Sequence, residues 1–178
     1  MTSYDWLLVF LGGGLVVFFA YQRLVRGLLS LVAIWSATLV SAALYRETTF
    51  RLQAITGENP VLARGVVFDA LLVIFFVGGF ILIRLAFPVT KLPNIGFLDN
   101  LLGLFLGVII AMILVTLLVN SMGVMVEERW EADEEAWARL RYTYLSSGLR
   151  PYTIQVLSAY GWLFVPFFRG LPPVLMPQ

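Results

Sequence analysis

The sequence contains neither cysteine nor histidine among its 178 residues. Without cysteine there is no disulfide framework and no thiolate nucleophile, and the absence of both residues excludes a Cys/His zinc site. The absence of histidine also excludes a Ser-His-Asp triad and removes the usual axial ligand of haem and chlorophyll. No acid–base pair or nucleophile arrangement stands out elsewhere, so we expect no enzyme activity, no metal site and no required cofactor.

Charge is scarce as well. Charged residues make up 13% of the chain and hydrophobic residues 60%, whereas a typical soluble domain is ~25% charged. A soluble globule would have too little polar surface, which makes it the weaker alternative. The net charge of +1 offers no concentrated basic face, so nucleic acid is not expected as a partner. We therefore interpret the chain as an integral membrane protein in contact with the lipid bilayer.

Four apolar runs are each long enough to cross a hydrocarbon core, which takes about 20 residues. Helices are favoured because backbone groups in lipid must be satisfied within the segment, and the runs lack the period-two alternation of a barrel. The prediction is an all-α integral membrane protein whose domain 1–126 holds four transmembrane helices, followed by C-terminal amphipathic and interfacial helices. The predicted spans cover residues 4–22, 27–45, 65–87 and 101–119.

Two arginines, Arg23 and Arg26, separate the first two runs. We expect a tight turn of about four residues there, with the arginine heads reaching the headgroups and Gly27 opening the second helix. The alternative is one long helix that buries two arginines, at ~2.5–3.5 kcal/mol each on the mild insertion scale. A cleaved signal peptide is disfavoured because no lysine or arginine precedes Arg23.

Orientation follows from the first hairpin, whose turn is cationic and whose start is not. This favours a cytoplasmic first turn, a second cytoplasmic loop containing Lys91, and both termini outside. The raw count of lysine and arginine argues the other way, because the segments placed outside carry more cations.

Two stretches carry a family resemblance. One reads Arg-x-x-Arg-Gly over residues 23–27, directly before the second run, and the other is "NIGFLDNLLGLFLGVIIAMIL", which places Asp99, Gly103 and Gly107 at the head of the fourth. Together with the tail "SSGLRPYTIQVLSAYGWLF" they resemble the colicin V production protein family over residues 7–168.

That resemblance implies a small bacterial inner-membrane protein with four spans, associated with colicin V production or export and with envelope maintenance. Some relatives carry a serine-protease domain after the spans. We expect no such domain here, because a Ser-His-Asp triad would lack its histidine. The acidic stretch near residues 127–135 is more charged than the family pattern suggests.

Small residues recur at spacing four on two of the runs, which lets helices approach closely in lipid. We favour packing within the bundle as their role, with docking against another subunit as the alternative. The residues are Gly103, Gly107 and Ala111 on the fourth run and Ala33, Ala37 and Ser41 on the second.

Ionisable residues inside a membrane segment are candidates for function. Asp69 and Arg84 both lie in the third run, but about 22 Å apart along a helix, which is too far for an ion pair. Snorkelling or a local salt bridge is the favoured interpretation, and an ion or proton site at Asp69 is the alternative. Asp99 is expected to cap the fourth helix at its positive dipole end.

The segment 127–150 is predicted to form a polar amphipathic helix, because it lacks glycine and proline until its end. Its aromatic residues recur every seven positions, which suggests one face at the membrane interface. Its acids show no EF-hand spacing. Residues 151–178 are predicted as an interfacial helix and an extended proline-rich tail, with a fifth tilted span over 151–165 as the alternative. The predicted interfacial aromatics are Trp130, Trp137, Tyr144 and Trp162.

The functional hypothesis is an accessory or structural subunit, or an assembly partner, of a larger membrane complex: a secretion, envelope or energy-converting (including photosynthetic) assembly. The alternative is a small transporter or channel component that uses Asp69. Other membrane-protein subunits are the expected partners. Contact with lipid, carotenoid or quinone along the aromatic faces is left open by the sequence.

Overall fold

The computed structural model describes residues 2–56, 60–87, 96–130 and 133–177. Lys91 and part of the 127–150 segment lie outside these ranges. The described residues form helices and turns and contain no strand. The helices are α1 (Ser3–Thr56), α2 (Pro60–Ala86), α3 (Gly96–Met125), α4 (Glu134–Leu145) and α5 (Arg150–Gly161), followed by 3₁₀ turns at Trp162–Phe167 and Pro173–Leu175.

Within the described ranges, three helices are long and apolar enough to cross a membrane, judged by length and composition. The qualifying stretches are Ser3–Ala54, Leu62–Ala86 and Phe97–Met125, with mean hydropathies of 1.9, 2.8 and 3.0. A straight helix of 52 residues would measure ~78 Å, far more than the ~30 Å hydrocarbon core. Helix α1 is not straight, however, because Arg23 has non-helical backbone angles (φ 66°, ψ 178°).

The break at Arg23 divides α1 into a first arm (residues 3–22) and a second arm (residues 24–56). The first arm runs antiparallel to α3, since Tyr4 Oη donates to Leu118 O (3.3 Å) at one end and Arg23 meets Gly103 at the other. The second arm runs parallel to α3: Gly27 lies against Leu106, and farther along both helices Trp35 and Ile113 line one groove. The chain thus reverses direction where the sequence predicts a turn, but one non-helical residue makes the reversal instead of about four.

The core lies between the two arms, α2 and α3. Its most buried side chains, all 0–1% exposed, include Phe19, Ile34, Phe68, Leu72 and Ile110. Large apolar side chains also cover the outside: Phe10 is 75% exposed and Leu82 67%. Helices that are apolar on every face suit a membrane environment.

The C-terminal helices are short and pack on the bundle. Helix α4 is shorter than the predicted 127–150 helix, because Asp133 caps its start by accepting from Ala136 N (2.9 Å). Helix α5 has 12 residues and continues directly into the 3₁₀ turn Trp162–Phe167, so the fifth span over 151–165 stays an alternative prediction. The 3₁₀ turn after α5 stacks Phe164 on Trp35 of the second arm, with ring centroids 6.1 Å apart.

The proline-rich tail, predicted to be extended, contains the 3₁₀ turn Pro173–Leu175 and packs against the bundle. Val174 and Leu175 are fully buried, and Asn120 of α3 donates from Nδ2 to Val174 O (2.9 Å). Asn120 is itself 5% exposed, so the tail supplies the hydrogen bond that this buried amide requires.

Candidate functional site

The two stretches that carry the family resemblance are distant in sequence but meet in one place, which we call the junction: Arg23, Arg26, Gly27, Asp99, Gly103 and Gly107. Its centre is Arg23, the one non-glycine residue with positive φ among the described residues. Its angles fall in a region used almost only by glycine, which costs ~1–3 kcal/mol and persists only where surrounding contacts enforce it.

Asp99 provides the main enforcing contact. Its carboxylate is fully buried, and Oδ1 accepts from Leu24 N (2.9 Å), the first residue of the second arm. Arg23 Nε lies 3.9 Å from Oδ2. Asp99 sits in the first turn of its own helix, as predicted, but its cap hydrogen bond goes to the start of another helix. The carboxylate therefore faces the positive dipole end of the second arm.

Two glycines of α3 allow the first arm to come close to Asp99. A Cβ added at Gly103 would lie 2.9 Å from Arg23 Cα, and one at Gly107 would lie 2.7 Å from Phe19 Cβ. Ala111 continues this stripe and is 5% exposed. The stripe therefore faces the first arm of the same chain.

Arg26 and Gly27 complete the junction. Arg26 donates from Nε (3.3 Å) and Nη2 (3.0 Å) to Phe87 O, the carbonyl just after α2. A cation at the carbonyl end of a helix is favourable because it complements the dipole there. Gly27 lies under Leu106, whose Cδ1 would be 3.0 Å from an added Cβ. The junction thus joins both arms, α2 and α3.

The small residues of the second arm are also covered within the chain. Ala33 and Gly79 of α2 face each other, because a Cβ at Gly79 would lie 3.3 Å from Ala33 Cβ. Ala37 is 2% exposed and Ser41 is fully buried.

Asp69 lies near the opposite end of the bundle, where α2 meets α3. Ser121 Oγ lies 2.8 Å from Asp69 Oδ2 and 2.9 Å from Leu118 O, so this hydroxyl can donate to either oxygen. Asp69 Oδ1 is buried without a hydrogen-bond partner. No ion pair involving Asp69 occurs within the described ranges, so a local salt bridge with a described residue is not its environment.

A second buried aspartate, Asp5, was not predicted as a site. Its Oδ1 accepts from Ser147 Oγ (2.5 Å), and its Oδ2 accepts from Gly148 N (3.1 Å) and Thr2 N (2.7 Å). We call Asp5, Ser147 and Gly148 the clasp, because they tie the start of α1 to the turn between α4 and α5. Thr2 also makes a reciprocal capping box with Asp5. The capping box is a local signal in the sequence, but the contact across 142 residues is not.

The four predicted interfacial aromatics have different environments. Trp130 is 6% exposed and donates Nε1 to Met125 O (2.9 Å), a carbonyl at the end of α3. The Arg141 guanidinium lies 4.9 Å from the centre of the Trp137 ring. Tyr144 is 5% exposed, whereas Trp162 is 74% exposed. Trp130 precedes α4, so these residues do not form one helix face.

An open apolar groove of about 570 Å³ runs between the second arm, α3 and α5. Tyr160 lines it, with its hydroxyl 3.1 Å from Thr38 Oγ1. Thr38 donates its own proton to Ile34 O (2.7 Å), so Tyr160 is the donor of this pair. Burial raises the pKa of the Tyr160 phenol, which keeps that proton in place.

The fold and the junction define an all-helical, multi-pass type of membrane protein. Residues 4–157 match the family model of the colicin V production protein. The match covers most of the chain, which therefore belongs to the colicin V production protein family, and the predicted family resemblance is confirmed. A search of curated proteins found no match, and neither did a search of solved structures.

Proposed function

We propose that this chain is a non-catalytic structural or accessory subunit that docks onto a larger assembly in the bacterial cytoplasmic membrane. The observation that supports this is how its buried polar groups are used. Asp99 and Asp5 hold helices to one another, and the glycine stripe is covered by the chain's own first arm. These buried groups therefore serve packing within the chain, and the exposed apolar faces are the surfaces that another subunit would meet.

Purification from native membranes in mild detergent tests this role. We expect a stoichiometric complex much larger than the 20.0 kDa chain, stable to a second detergent. Identification of the co-migrating subunits then assigns the complex to secretion, envelope maintenance or energy conversion. A lone chain or a small homo-oligomer in both detergents would contradict the accessory role.

We further propose that the two arms of α1 cross the membrane separately, giving four spans with both termini outside. The direction reversal at Arg23 supports this, because the first arm is then ~30 Å long and the apolar part of the second arm, residues 27–45, is ~29 Å long. Each is close to the ~30 Å hydrocarbon core. The chain lacks cysteine, so single-cysteine variants at Ser3, Thr48 and Asn100, all exposed, report topology directly.

In intact cells, an impermeant maleimide should label the cysteines at Ser3 and Thr48 but not the one at Asn100. The reverse pattern would overturn the orientation. Labelling that differs between Ser3 and Thr48 would overturn the separate crossing of the two arms. Permeabilised cells provide the control for accessibility at all three positions.

A transporter or channel component is the second candidate, and one observation favours it. Asp69 Oδ1 is a buried carboxylate oxygen without a hydrogen-bond partner, close to Ser121. Such a group inside a membrane helix is suited to transient binding of a proton or a cation. Asp69→Asn preserves the shape of the side chain. It should abolish the flux of protons or cations into proteoliposomes, while the variant still folds and assembles with its partner subunits. If the flux is the same in the variant and the parent, the structural role is the better proposal.

A further inference from the structure

A polar pocket lies where the second arm, the start of α2 and the end of α3 meet. Its volume is about 380 Å³, within the ~300–1,000 Å³ typical of small-ligand pockets. Arg46 and Gln53 line it from the second arm and Arg64 from α2, and Glu127 is the one acidic residue among its described lining residues. We call it the arginine pocket.

The depth of the arginine pocket corresponds to the headgroup layer. Arg46 directly follows the second apolar run, and Arg64 directly precedes the third. Both guanidinium groups thus stand at the boundary between apolar and polar chain, where lipid phosphates lie. Phe50 also lines the pocket and is 71% exposed, so an apolar surface suited to acyl chains begins beside the cations.

The pocket has more hydrogen-bond donors than acceptors. Arg46 Nε donates to Tyr45 Oη (3.1 Å), which holds the guanidinium in place and leaves its two terminal nitrogens for a ligand. Gln53 Nε2 is buried and has no hydrogen-bond partner. A buried donor without a partner costs ~1–3 kcal/mol, and an oxygen-rich anion would satisfy it. Among the described lining residues, two arginines and one glutamate leave a net positive charge.

We propose that the arginine pocket binds the phosphate of an anionic phospholipid. The guanidinium groups of Arg46 and Arg64 and the amide of Gln53 donate to the phosphate oxygens, and the acyl chains lie along the apolar surface that begins at Phe50. Arginine suits this role because its planar fork matches phosphate oxygens and is weakly hydrated.

The test measures lipid binding by native mass spectrometry of the full chain in a nonionic detergent, titrated with phosphatidylglycerol. Arg46→Gln and Arg64→Gln should each weaken binding about tenfold, the loss expected for one charge-assisted hydrogen bond. The matched control is Arg51→Gln, which removes the same charge from an exposed residue paired with Glu47 (2.9 Å) outside the pocket. Equal binding by all four proteins would overturn the proposal.

Two further comparisons distinguish lipid from free phosphate and control for misfolded variants. Phosphatidylglycerol should bind more tightly than phosphatidylcholine or inorganic phosphate. Equal binding of phosphatidylcholine overturns the requirement for an anionic headgroup, and tighter binding of inorganic phosphate overturns the lipid as ligand. Gln53→Lys adds a cation to the pocket and should tighten binding severalfold, whereas Thr48→Lys, exposed on the same arm, should not. If both lysine variants bind phosphatidylglycerol more tightly by the same factor, the proposal is also overturned.

Discussion

Two fully buried aspartates hold opposite ends of the bundle, and their carboxylates are hydrogen-bonded to different extents. Asp5 accepts three hydrogen bonds through both oxygens and has no cation in the clasp. Asp99 accepts one backbone hydrogen bond through Oδ1, and Arg23 Nε stands 3.9 Å from Oδ2. The clasp therefore depends on two acceptor oxygens, whereas the junction depends on negative charge and close backbone approach. The same residue type serves two physical roles.

The largest effect is expected where the junction is tightest. Gly103→Ala places a methyl group against the Arg23 backbone, which cannot move without disturbing the Asp99 cap. We expect a loss of about 1–3 kcal/mol in the free energy of unfolding, measured by dodecyl sulfate titration in mixed micelles. Gly13→Ala is the control, because its new methyl group would meet nothing within 4 Å. An equal change in both variants would contradict the close approach.

The clasp should be sensitive to loss of one acceptor oxygen. Asp5→Asn replaces an acceptor with an amide that faces existing donors, so we expect destabilisation of about 1–2 kcal/mol. The same titration measures it, and protease cleavage at the turn between α4 and α5 should increase. If Asp5→Asn is as stable as the parent, the contacts with Ser147 and Gly148 do not hold the turn.

Backbone strain at Arg23 gives a comparison within the junction. Arg23→Gly and Arg23→Ala both remove the guanidinium, but only glycine adopts these angles without strain. We expect the glycine variant to be more stable than the alanine variant by about 1 kcal/mol. At an ordinary helical position such as Leu28 the order should reverse. A more stable alanine variant at position 23 would mean that the backbone there is helical.

The smallest effect is expected for Asp99→Asn. The asparagine oxygen can still accept from Leu24 N, so the cap hydrogen bond remains and only the charge is lost. We expect a cost of about 0.3–1 kcal/mol, the usual range for a charge at a helix end. High salt should reduce this cost but not that of Asp5→Asn. If high salt changes the free energy cost of Asp99→Asn and of Asp5→Asn by the same amount, the two aspartates do not have different roles.

Much of the membrane part of this fold could be predicted from the sequence, because an apolar run of span length has few alternatives in lipid. The ends of the helices were harder to predict. The second arm continues to Thr56 past its apolar run, since polar residues such as Glu47 and Arg51 sustain the helix with an ion pair four residues apart. A hydropathy pattern cannot report that continuation.

The contacts between distant segments could not be predicted. Asp99 was expected to cap its own helix, but its carboxylate accepts from Leu24 N at the start of the second arm, a contact that only the fold shows. The clasp and the buried tail could not be predicted for the same reason. No sequence pattern at Ser147 or Val174 points to Asp5 or Asn120 as its partner. Short polar contacts of this kind depend on tertiary position, which local spacing does not encode.

The clasp also has a consequence for the order of synthesis. Asp5 precedes Ser147 by 142 residues, so the ribosome makes all three long apolar helices before either partner in the turn exists. During that interval the carboxylate has only Thr2 as a local partner and must stay in contact with water. The contacts that tie Asp5 to this turn therefore form only after the three long helices have been synthesised, and closure of the clasp is a late step in folding.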